Sequence, residues 1–431
     1  MKNRFWRVIM LAALIFAAII YAISATRMDK PHESTATNAE AAENGEKYMA
    51  LNYERVRAIW LSQFDMWQIY TNGDVQRPHD DYTERVRGLI ENIKYLGINT
   101  VFIQLRPNGD SIYPSSLFPA SKYVTGEYGR DAEYDALGIF IDEAHKEGIS
   151  VHAWINPLRC MTKEELASVS DTYQIKKWYN DDSGGRLVEV LGRYYLNPAH
   201  REVRALICEG VKEIITLYSV DGIHIDDYFY PTTEEFFDAN EYAAYLSLGG
   251  KLSLADFRRE QINALIREIY STVKSENSSL PFGVSPGGNT DRNYNELYAD
   301  ASLWCSQTGY IDYLCPQIYF GLEHETQPFS EVCEKFSSMT ETGNTRLIIG
   351  LTLEKAYNGY LGEIDKWAGS GQDEWIKSRD ILRRCIEHVK NLEGCEGVAF
   401  FSYRLFFDPE SGEPLEETRE EVAAFLPIIK E

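Results

Sequence analysis

Short apolar runs alternate with longer amphipathic stretches from about residue 50 onward, and this alternation constrains the fold more than any other feature of the sequence. The apolar runs are rich in β-branched and aromatic residues, which favours strands, whereas the stretches between them carry apolar residues at helical spacing. Some of these stretches end at a glycine, such as Gly97 and Gly148, which is a typical helix stop. The eight strand-like runs lie at residues 56–63, 99–110, 149–159, 220–230, 280–288, 310–321, 345–355 and 395–407.

Eight strands that alternate with helices predict a (β/α)8 TIM barrel, a single large α/β domain that we place at residues 48–431. The strands are apolar along most of their length, as parallel strands buried on both faces must be. An open doubly wound sheet would show the same alternation. No glycine-rich phosphate loop follows the first strand-like run, however, so the dinucleotide-binding form of that sheet is disfavoured.

Residues 1–25 form a separate segment with its own composition. The basic start "MKNRFWR" is followed by an uncharged apolar run from Val8 to Ser24, which predicts a signal peptide or an N-terminal membrane anchor. Because the basic residues precede the apolar run, we expect the rest of the chain to be extracytoplasmic, either secreted or anchored to the cell membrane. Residues 26–47 are small, polar and charged, and we expect a flexible linker there.

The charge balance excludes some partners. A net charge of −23, from 43 basic and 66 acidic residues, argues against nucleic acid, since phosphate binding needs clustered Lys and Arg. It also argues against a basic membrane patch, so membrane contact is expected only through the N-terminal segment. The seven cysteines are scattered without a CxxC pair and the eight histidines do not cluster, so we expect neither a metal site nor a cofactor.

Active sites of (β/α)8 barrels lie at the C-terminal ends of the strands, so the polar residues that end each run are the candidate functional residues. Carboxylates, amides and aromatic rings dominate this set, which suits the binding of sugars. Glycoside hydrolysis in most families needs two carboxyl groups, and the set contains several. In chain order the candidates are Gln104, Arg106, Asp110, Asn156, Arg159, His224, Asp226, Asp227, Tyr228, Ser285, Gln317, Tyr319 and Glu354.

The stretch "DGIHIDDYFYP", from Asp221 to Pro231, contains the strongest catalytic candidates. Asp226 shares a strand face with His224, and that face should point into the barrel mouth, where a carboxylate without a partner or a task is costly. Asp226 is therefore the candidate nucleophile or base, and His224 either contacts substrate or is a satisfied core histidine. Asp227 should point the other way unless the strand has already turned. Asp221 is expected in a turn before the strand.

The second catalytic carboxyl group is less evident, and the candidates are Asp227, Asp110 and Glu354. Arg106 and Arg159 either contact substrate or act as counter-ions that keep the aspartates ionised. We expect the amides, the tyrosines and the serine of the set to bind substrate.

Six sequence blocks in order resemble the glycosyl hydrolase-like 10 family over residues 52–407. The resemblance implies a TIM barrel in a bacterial exported or envelope protein. It also implies a hydrolase of carbohydrate, with peptidoglycan glycan as the leading substrate. The blocks are "GINTVFIQLRPNGDSIYPSSLFPASKYVTGEYGRDAEYD", "EAHKEGISVHAWINPLR", "YYLNPAHREVR", "VDGIHIDDYFYP", "FGVSPGG" and "YADASLW" with "IDYLCPQIY".

Individual residues of this chain can be matched to the family's sequence blocks, and one block differs from the family pattern. The family's fifth-strand block usually continues SPxGxWRN, whereas this chain has "SPGGNTDRN" and lacks the aromatic residue. A second interpretation stays open, namely a non-catalytic glycan-binding protein on a degenerate hydrolase barrel. The family's DDY block falls on Asp226, Asp227 and Tyr228, its QxRPNGD block on Gln104, Arg106 and Asp110, its NPxR block on Asn156 and Arg159, and its PQIY block on Gln317 and Tyr319.

Overall fold

The computed structural model describes residues 48–181, 184–341, 343 and 345–430. The predicted signal or anchor segment at 1–25 and the predicted linker at 26–47 lie outside the described residues, so both stay predictions. In the part of the chain that is described, no helix combines the length and the apolar character needed to cross a bilayer.

Eight parallel strands of the described chain close into a barrel, which confirms the predicted (β/α)8 fold. The strands are β1 (Val56–Leu61), β2 (Thr100–Arg106), β3 (Ser150–Ile155), β4 (Gly222–Ile225), β5 (Phe282–Val284), β6 (Tyr313–Leu314), β7 (Arg346–Thr352) and β8 (Cys395–Phe401). Each strand pairs with the next along the chain, and β8 pairs with β1. They are shorter than the predicted runs, because those runs also include the polar residues that leave the sheet at the barrel mouth.

A helix follows each barrel strand, and its apolar face packs towards the strands. In the third helix, for example, the buried residues Val203, Ile207, Val211 and Ile214 recur at helical spacing. The barrel helices are α1 (His79–Tyr95), α2 (Ala136–Lys146), α3 (Arg201–Leu217), α4 (Leu254–Glu276), α5 (Ala301–Ser306), α6 (Phe329–Thr340), α7 (Ile381–Lys390) and α8 (Arg419–Lys430). Shorter helices lie at Gln63–Tyr70, Lys122–Thr125, Lys163–Ser168, Gln174–Asn180, Ala239–Ser247, Thr290–Asn295, Glu354–Tyr360 and Glu374–Lys377.

Two small antiparallel sheets in the described part of the chain lie outside the barrel. One pairs Thr71–Asn72 with Val75–Gln76. The other places Arg193–Leu196 between Arg159–Thr162 and Leu187–Val190. The second sheet follows β3, so it extends the wall of the barrel mouth beside β3 and β4.

The barrel interior is filled by aromatic side chains. Trp60, Phe102, Trp154 and Tyr313 belong to an interior cluster that is separate from the larger core between strands and helices. An eight-stranded barrel is just wide enough for side chains to fill it, so this interior is a packed core. The barrel interior therefore has no room for a ligand.

A chain of directed hydrogen bonds runs through this aromatic interior. The indole nitrogen of Trp60 can only donate, so Nε2 of His224 accepts (3.1 Å) and Nδ1 carries the proton. Nδ1 of His224 then donates to the Tyr313 hydroxyl at 2.9 Å, and that hydroxyl donates to Nδ1 of His152 at 3.0 Å. Nε2 of His152 finally donates to Oδ1 of Asn52 at 3.3 Å.

His224 is a core residue, and here the structure differs from the expectation of substrate contact. Its side chain is fully buried and stacks on Phe102 with ring centroids 4.1 Å apart. Burial lowers the pKa of His224 well below its usual value, which keeps the imidazole neutral. Alternation along β4 correctly predicts that the His224 side chain points into the barrel. It does not predict how deep the residue lies, and His224 lies one layer below the mouth.

Asp221 lies at the opposite end of β4 and is more than a turn residue. Its buried carboxylate accepts hydrogen bonds from Tyr48 Oη (2.5 Å) and from the backbone N–H of Leu51 (2.6 Å). It also accepts from the backbone N–H of Val151 (2.7 Å) and contacts Nε2 of His145 at 2.8 Å. Asp221 thus ties the segment before β1 to β3 and α2.

Candidate active site

Both aspartates that follow β4 reach into the mouth, because strand pairing ends at Ile225 and the backbone then bends. Asp226 Oδ2 accepts a 2.5 Å hydrogen bond from Nδ2 of Asn156, which follows β3. Asp227 Oδ1 accepts a 3.4 Å hydrogen bond from Nε2 of Gln317, which follows β6. The two side chains therefore do not point to opposite faces of the sheet. Amides that follow β3 and β6 contact the two carboxyl groups at the C-terminal mouth.

The carboxyl group of Asp226 has an environment that favours its neutral form. Burial raises the pKa of Asp226 to about 8, and the charge of Asp227 adds to the shift. Donors from Tyr228 and Asn156 lower this pKa, as does the Trp154 indole, which lies nearby without reaching hydrogen-bond geometry. Because burial outweighs these donors, the environment of Asp226 favours its protonated form.

Asp227 is the partner in this pair. Burial raises its pKa, while the Gln317 amide and the charge of Arg292 act in the opposite direction. Two adjacent carboxyl groups at one site titrate as a pair, and one proton is shared before both can ionise. While the pair holds a single proton, the site provides one carboxylic acid and one carboxylate side by side. We call Asp226 and Asp227 the aspartate pair.

A relay of amides orients the donor to Asp226. The backbone N–H of Gln63 donates to Oε1 of Gln104 at 2.8 Å, which fixes the side-chain amide of Gln104. Nε2 of Gln104 then donates to Oδ1 of Asn156 at 2.6 Å, so Nδ2 of Asn156 must face Asp226. Gln104 and Asn156 are buried. They position Asp226, whereas the sequence suggested that they bind substrate.

Tyr319 and Glu354 lie on the other side of the mouth. The Tyr319 ring packs on Phe401 with centroids 6.0 Å apart. Burial raises the pKa of Tyr319, and the negative charges of Asp227, Asp226 and Glu354 raise it further. The phenol therefore lies in the field of three carboxyl groups. Glu354 is exposed and begins the helix that follows β7.

Ser285 and Gln317 form the floor between β5 and β6. Nε2 of Gln317 donates to the backbone oxygen of Ser285 at 3.2 Å as well as to Asp227. Ser285 is fully buried, and its hydroxyl has no hydrogen-bond partner among the described residues. Gln317 is partly exposed, so it can contact both Asp227 and a ligand.

Tyr228 and Arg159 form part of the rim. Tyr228 exposes 45% of its surface, and the guanidinium of Arg159 lies 4.9 Å from the centroid of its ring. Arg159 is held by the small sheet after β3. Tyr228 is exposed and Arg159 is partly exposed, so both side chains remain accessible to a ligand in the mouth.

Arg106 lies away from the mouth. A register shift in β2 between Gln104 and Arg106 turns its side chain outward. The guanidinium lies 4.0 Å from the Phe118 ring centroid and occupies space that a Cβ at Gly210 of α3 would fill. Burial lowers the pKa of Arg106, and the side chain is 1% exposed. The expected contact with substrate or with the aspartates is therefore not formed.

Asp110 is also placed apart from the aspartate pair. It is fully buried and accepts a 2.7 Å hydrogen bond from the backbone N–H of Asn108 in its own loop. Burial raises the pKa of Asp110 to about 6, and the carboxylate that adds to this shift is Glu165. Asp110 orders the loop after β2, and the structure does not bring it to the catalytic candidates.

Exposed aromatic rings surround the mouth, and the sequence identified only one of them as a candidate. An aromatic content of 13% hid the others, since most aromatic residues are core. A useful signal would have been aromatic residues in the short helices directly after strands. Among the described residues, the exposed rings that follow barrel strands include Phe64 and Trp67 after β1, Tyr228 after β4, Tyr294 after β5 and Tyr360 after β7. Sequence reasoning also missed Gln63 and Arg292.

Among the residues that the structure describes, no group of three or more His, Cys, Asp or Glu side chains is placed to hold a metal ion.

Comparison with known proteins gives the family. The sequence profile of the glycosyl hydrolase-like 10 family matches residues 55–368. Glycosyl hydrolase YngK of Bacillus subtilis (strain 168) is 31% identical over 364 residues, 78% of this chain and 66% of YngK, just under two thirds of that relative's length. Glycosyl hydrolase DigH of Escherichia coli (strain K12) is 31% identical over 359 residues, 76% of this chain and 79% of DigH. The chain belongs to the glycosyl hydrolase-like 10 family.

This membership confirms the resemblance seen in the sequence blocks. It also confirms the predicted enzyme class, the glycoside hydrolases. A carbohydrate is the class of substrate that the family implies. Among solved structures, the glycoside hydrolase domain of PgaB (BpsB) from Bordetella bronchiseptica matches with a TM-score of 0.54 at 13% identity. The match covers 86% of this chain and 99% of that domain, and at this identity the likeness shows the fold alone.

Proposed function

We propose that this protein hydrolyses glycosidic bonds in a polysaccharide of the bacterial envelope, with peptidoglycan glycan strands as the substrate. The aspartate pair at the barrel mouth carries the proposal. It places a carboxyl group whose burial favours the protonated form beside a second carboxyl group that contacts the Gln317 amide and lies in the field of Arg292. The exposed aromatic rings around the mouth provide flat surfaces for the apolar faces of sugar rings.

Asp226 acts as the general acid in this proposal. Its raised pKa keeps the proton that the leaving-group oxygen must receive when the bond to the anomeric carbon breaks. This role differs from the nucleophile or base suggested by the sequence, because burial and the neighbouring charge of Asp227 were not visible there. The leaving sugar departs as an alcohol and Asp226 becomes a carboxylate.

Asp227 is the ionised partner that offsets the positive charge developing at the anomeric carbon. A water molecule then adds to that carbon, and its proton goes to the carboxylate of Asp226, which restores the acid. Tyr319 and Gln317 border the pair and contact the sugar whose bond is cleaved. Glu354 stays the alternative second carboxyl group, since its charge acts on the same phenol.

The extracytoplasmic location follows from the order of basic and apolar residues at the N-terminus. It is also where peptidoglycan is found. Fractionation of cells that express the full chain tests it, and recovery of the protein in the cytoplasm would contradict this part of the proposal.

The proposed activity is tested by incubating the purified protein with peptidoglycan glycan strands stripped of peptides. We expect new reducing ends, and we expect them to be lost in Asp226→Asn. Binding to the strands without release of reducing ends, over the whole pH range of stability, would favour the glycan-binding alternative.

A further inference from the structure

Trp367 is exposed to an unusual degree for its size. Its side chain exposes 84% of its surface, whereas tryptophan is highly buried on average. Within the described part of the chain, its indole ring has no aromatic or cationic partner. An apolar ring of this size in water is costly unless it has a task.

The backbone that carries Trp367 is held firmly. The N–H of Trp367 donates to Oδ1 of Asp365 at 3.3 Å, and the same oxygen forms a 2.9 Å ion pair with Nζ of Lys355. The Asp365 side chain is only 3% exposed. The backbone N–H of Asp365 also donates to the backbone oxygen of Gln372 at 2.9 Å. The indole is thus presented by an ordered turn.

This turn is linked to the catalytic end of the barrel. Lys355 follows Glu354 directly in the helix after β7, and Glu354 acts on the same Tyr319 phenol as the aspartate pair. The ion pair of Lys355 with Asp365 therefore fixes Trp367 relative to the mouth. Trp367 lies outside the mouth, in the turn that follows the helix Glu354–Tyr360.

Beside the indole lies a cavity of about 210 Å³. This volume is below the range of about 300–1,000 Å³ that is usual for drug-sized ligands, so it suits a single sugar ring. Ammonium, amide and carboxylate groups around an aromatic ring are the groups that bind sugar hydroxyls while the ring covers an apolar sugar face. The cavity is lined by Lys355, Asn358, Glu363, Lys366, Trp367 and Trp375, among others.

We propose that Trp367 and this cavity form a distal glycan-binding subsite, which takes one sugar ring of a polymer whose cleaved bond lies at the aspartate pair. This inference rests on the proposed glycoside hydrolase function. It adds that the enzyme acts on long glycan chains in preference to short ones. A short oligosaccharide reaches the aspartate pair without reaching Trp367.

The test compares Trp367→Ala, Trp367→Phe and the full-length wild-type protein on two probes. One probe is long peptide-free peptidoglycan glycan, and the other is disaccharides and tetrasaccharides cut from it. Leu361→Ala is the matched control, since Leu361 is 53% exposed on the same segment. We expect Trp367→Ala to raise KM for long glycan about tenfold with kcat unchanged, and to leave the short probes unaffected. Trp367→Phe should recover part of the loss, and Leu361→Ala should match wild type.

Two outcomes would overturn the subsite. One is an equal effect of Trp367→Ala on long and short probes, and the other is an equal loss in Leu361→Ala, which would indicate a general apolar docking surface. If wild type cleaves neither probe, the proposed function fails, and co-sedimentation with long glycan then decides about the subsite. Weaker co-sedimentation of Trp367→Ala than of wild type would support it, and equal co-sedimentation would contradict it.

Discussion

The two ends of β4 each carry a buried aspartate, and the two are bound in opposite ways. At the N-terminal end, Asp221 has four contacts to its two oxygens, between 2.5 and 2.8 Å. At the C-terminal end, Asp226 has one short amide donor and a second at 3.3 Å, with another carboxyl group next to it. The carboxyl group of Asp221 therefore has more hydrogen-bonding partners than the carboxyl group of Asp226 at the mouth.

This difference separates a structural acid from a functional one. The several hydrogen bonds of Asp221 stabilise the fold, as expected for a residue that joins several elements. Incomplete hydrogen bonding beside a like charge favours the protonated form, which lowers stability at neutral pH but provides a proton for catalysis. Burial alone does not distinguish the two residues, because both are at most 3% exposed.

The largest expected effect is on turnover in Asp226→Asn. The amide keeps the shape of the side chain but cannot donate the catalytic proton, so kcat should fall by about 1,000-fold, or about 4 kcal/mol. Reducing ends released from peptide-free glycan measure this. Turnover within a few fold of wild type would show that the acid is another group.

The matched change at the other end, Asp221→Asn, should affect stability instead. It replaces an acceptor of several donors by a group that accepts fewer, so the free energy of unfolding should fall by about 3 kcal/mol. Urea unfolding followed by circular dichroism measures the loss, and activity per folded molecule should stay at the wild-type level. A stable but inactive Asp221→Asn would contradict the division between the two ends.

Asp226→Asn should also make the protein more stable at neutral and mildly alkaline pH. The folded pKa of Asp226 is raised above its unfolded value of about 3.9, so the wild-type protein loses stability as pH rises from about 4 to about 8. The variant lacks this dependence, so it should be more stable than wild type at pH 8. Unfolding at both pH values measures the difference, which should vanish near pH 4.

The smallest effect is expected from the amide relay. Asn156→Ala removes the donor that lowers the pKa of Asp226, so the alkaline limit of activity should move to higher pH and kcat should fall about tenfold. Gln104→Ala should act in the same direction, because it frees the amide of Asn156 to rotate. A drop in kcat with no change in the pH profile would mean that the relay only supports the fold.

The barrel could be predicted from the sequence because its signal is local. Strand and helix periodicities repeat along the chain, and the position of Asp226 at the end of the fourth strand follows from them. The rim residues Arg159, Tyr228 and Gln317 follow in the same way. These predictions need only the rule that active sites lie at the C-terminal ends of barrel strands.

The remaining features depend on contacts between distant residues. Arg106 lies away from the mouth because of a register shift in β2, and no residue pattern in the sequence predicts that shift. The role of Asp221 depends on Tyr48 and Leu51, which are distant in the sequence. The pKa of Asp226 depends on burial, which strand alternation does not measure.

The pH dependence of kcat/KM tests the central claim most directly, since it reports the protonation state of the free enzyme. With peptide-free glycan as substrate, we predict that kcat/KM falls as pH rises through about 8, where the buried acid Asp226 loses its proton. A profile that rises through about pH 4 and then stays level beyond pH 9 would contradict the account. It would mean that Asp226 works as an ordinary ionised carboxylate.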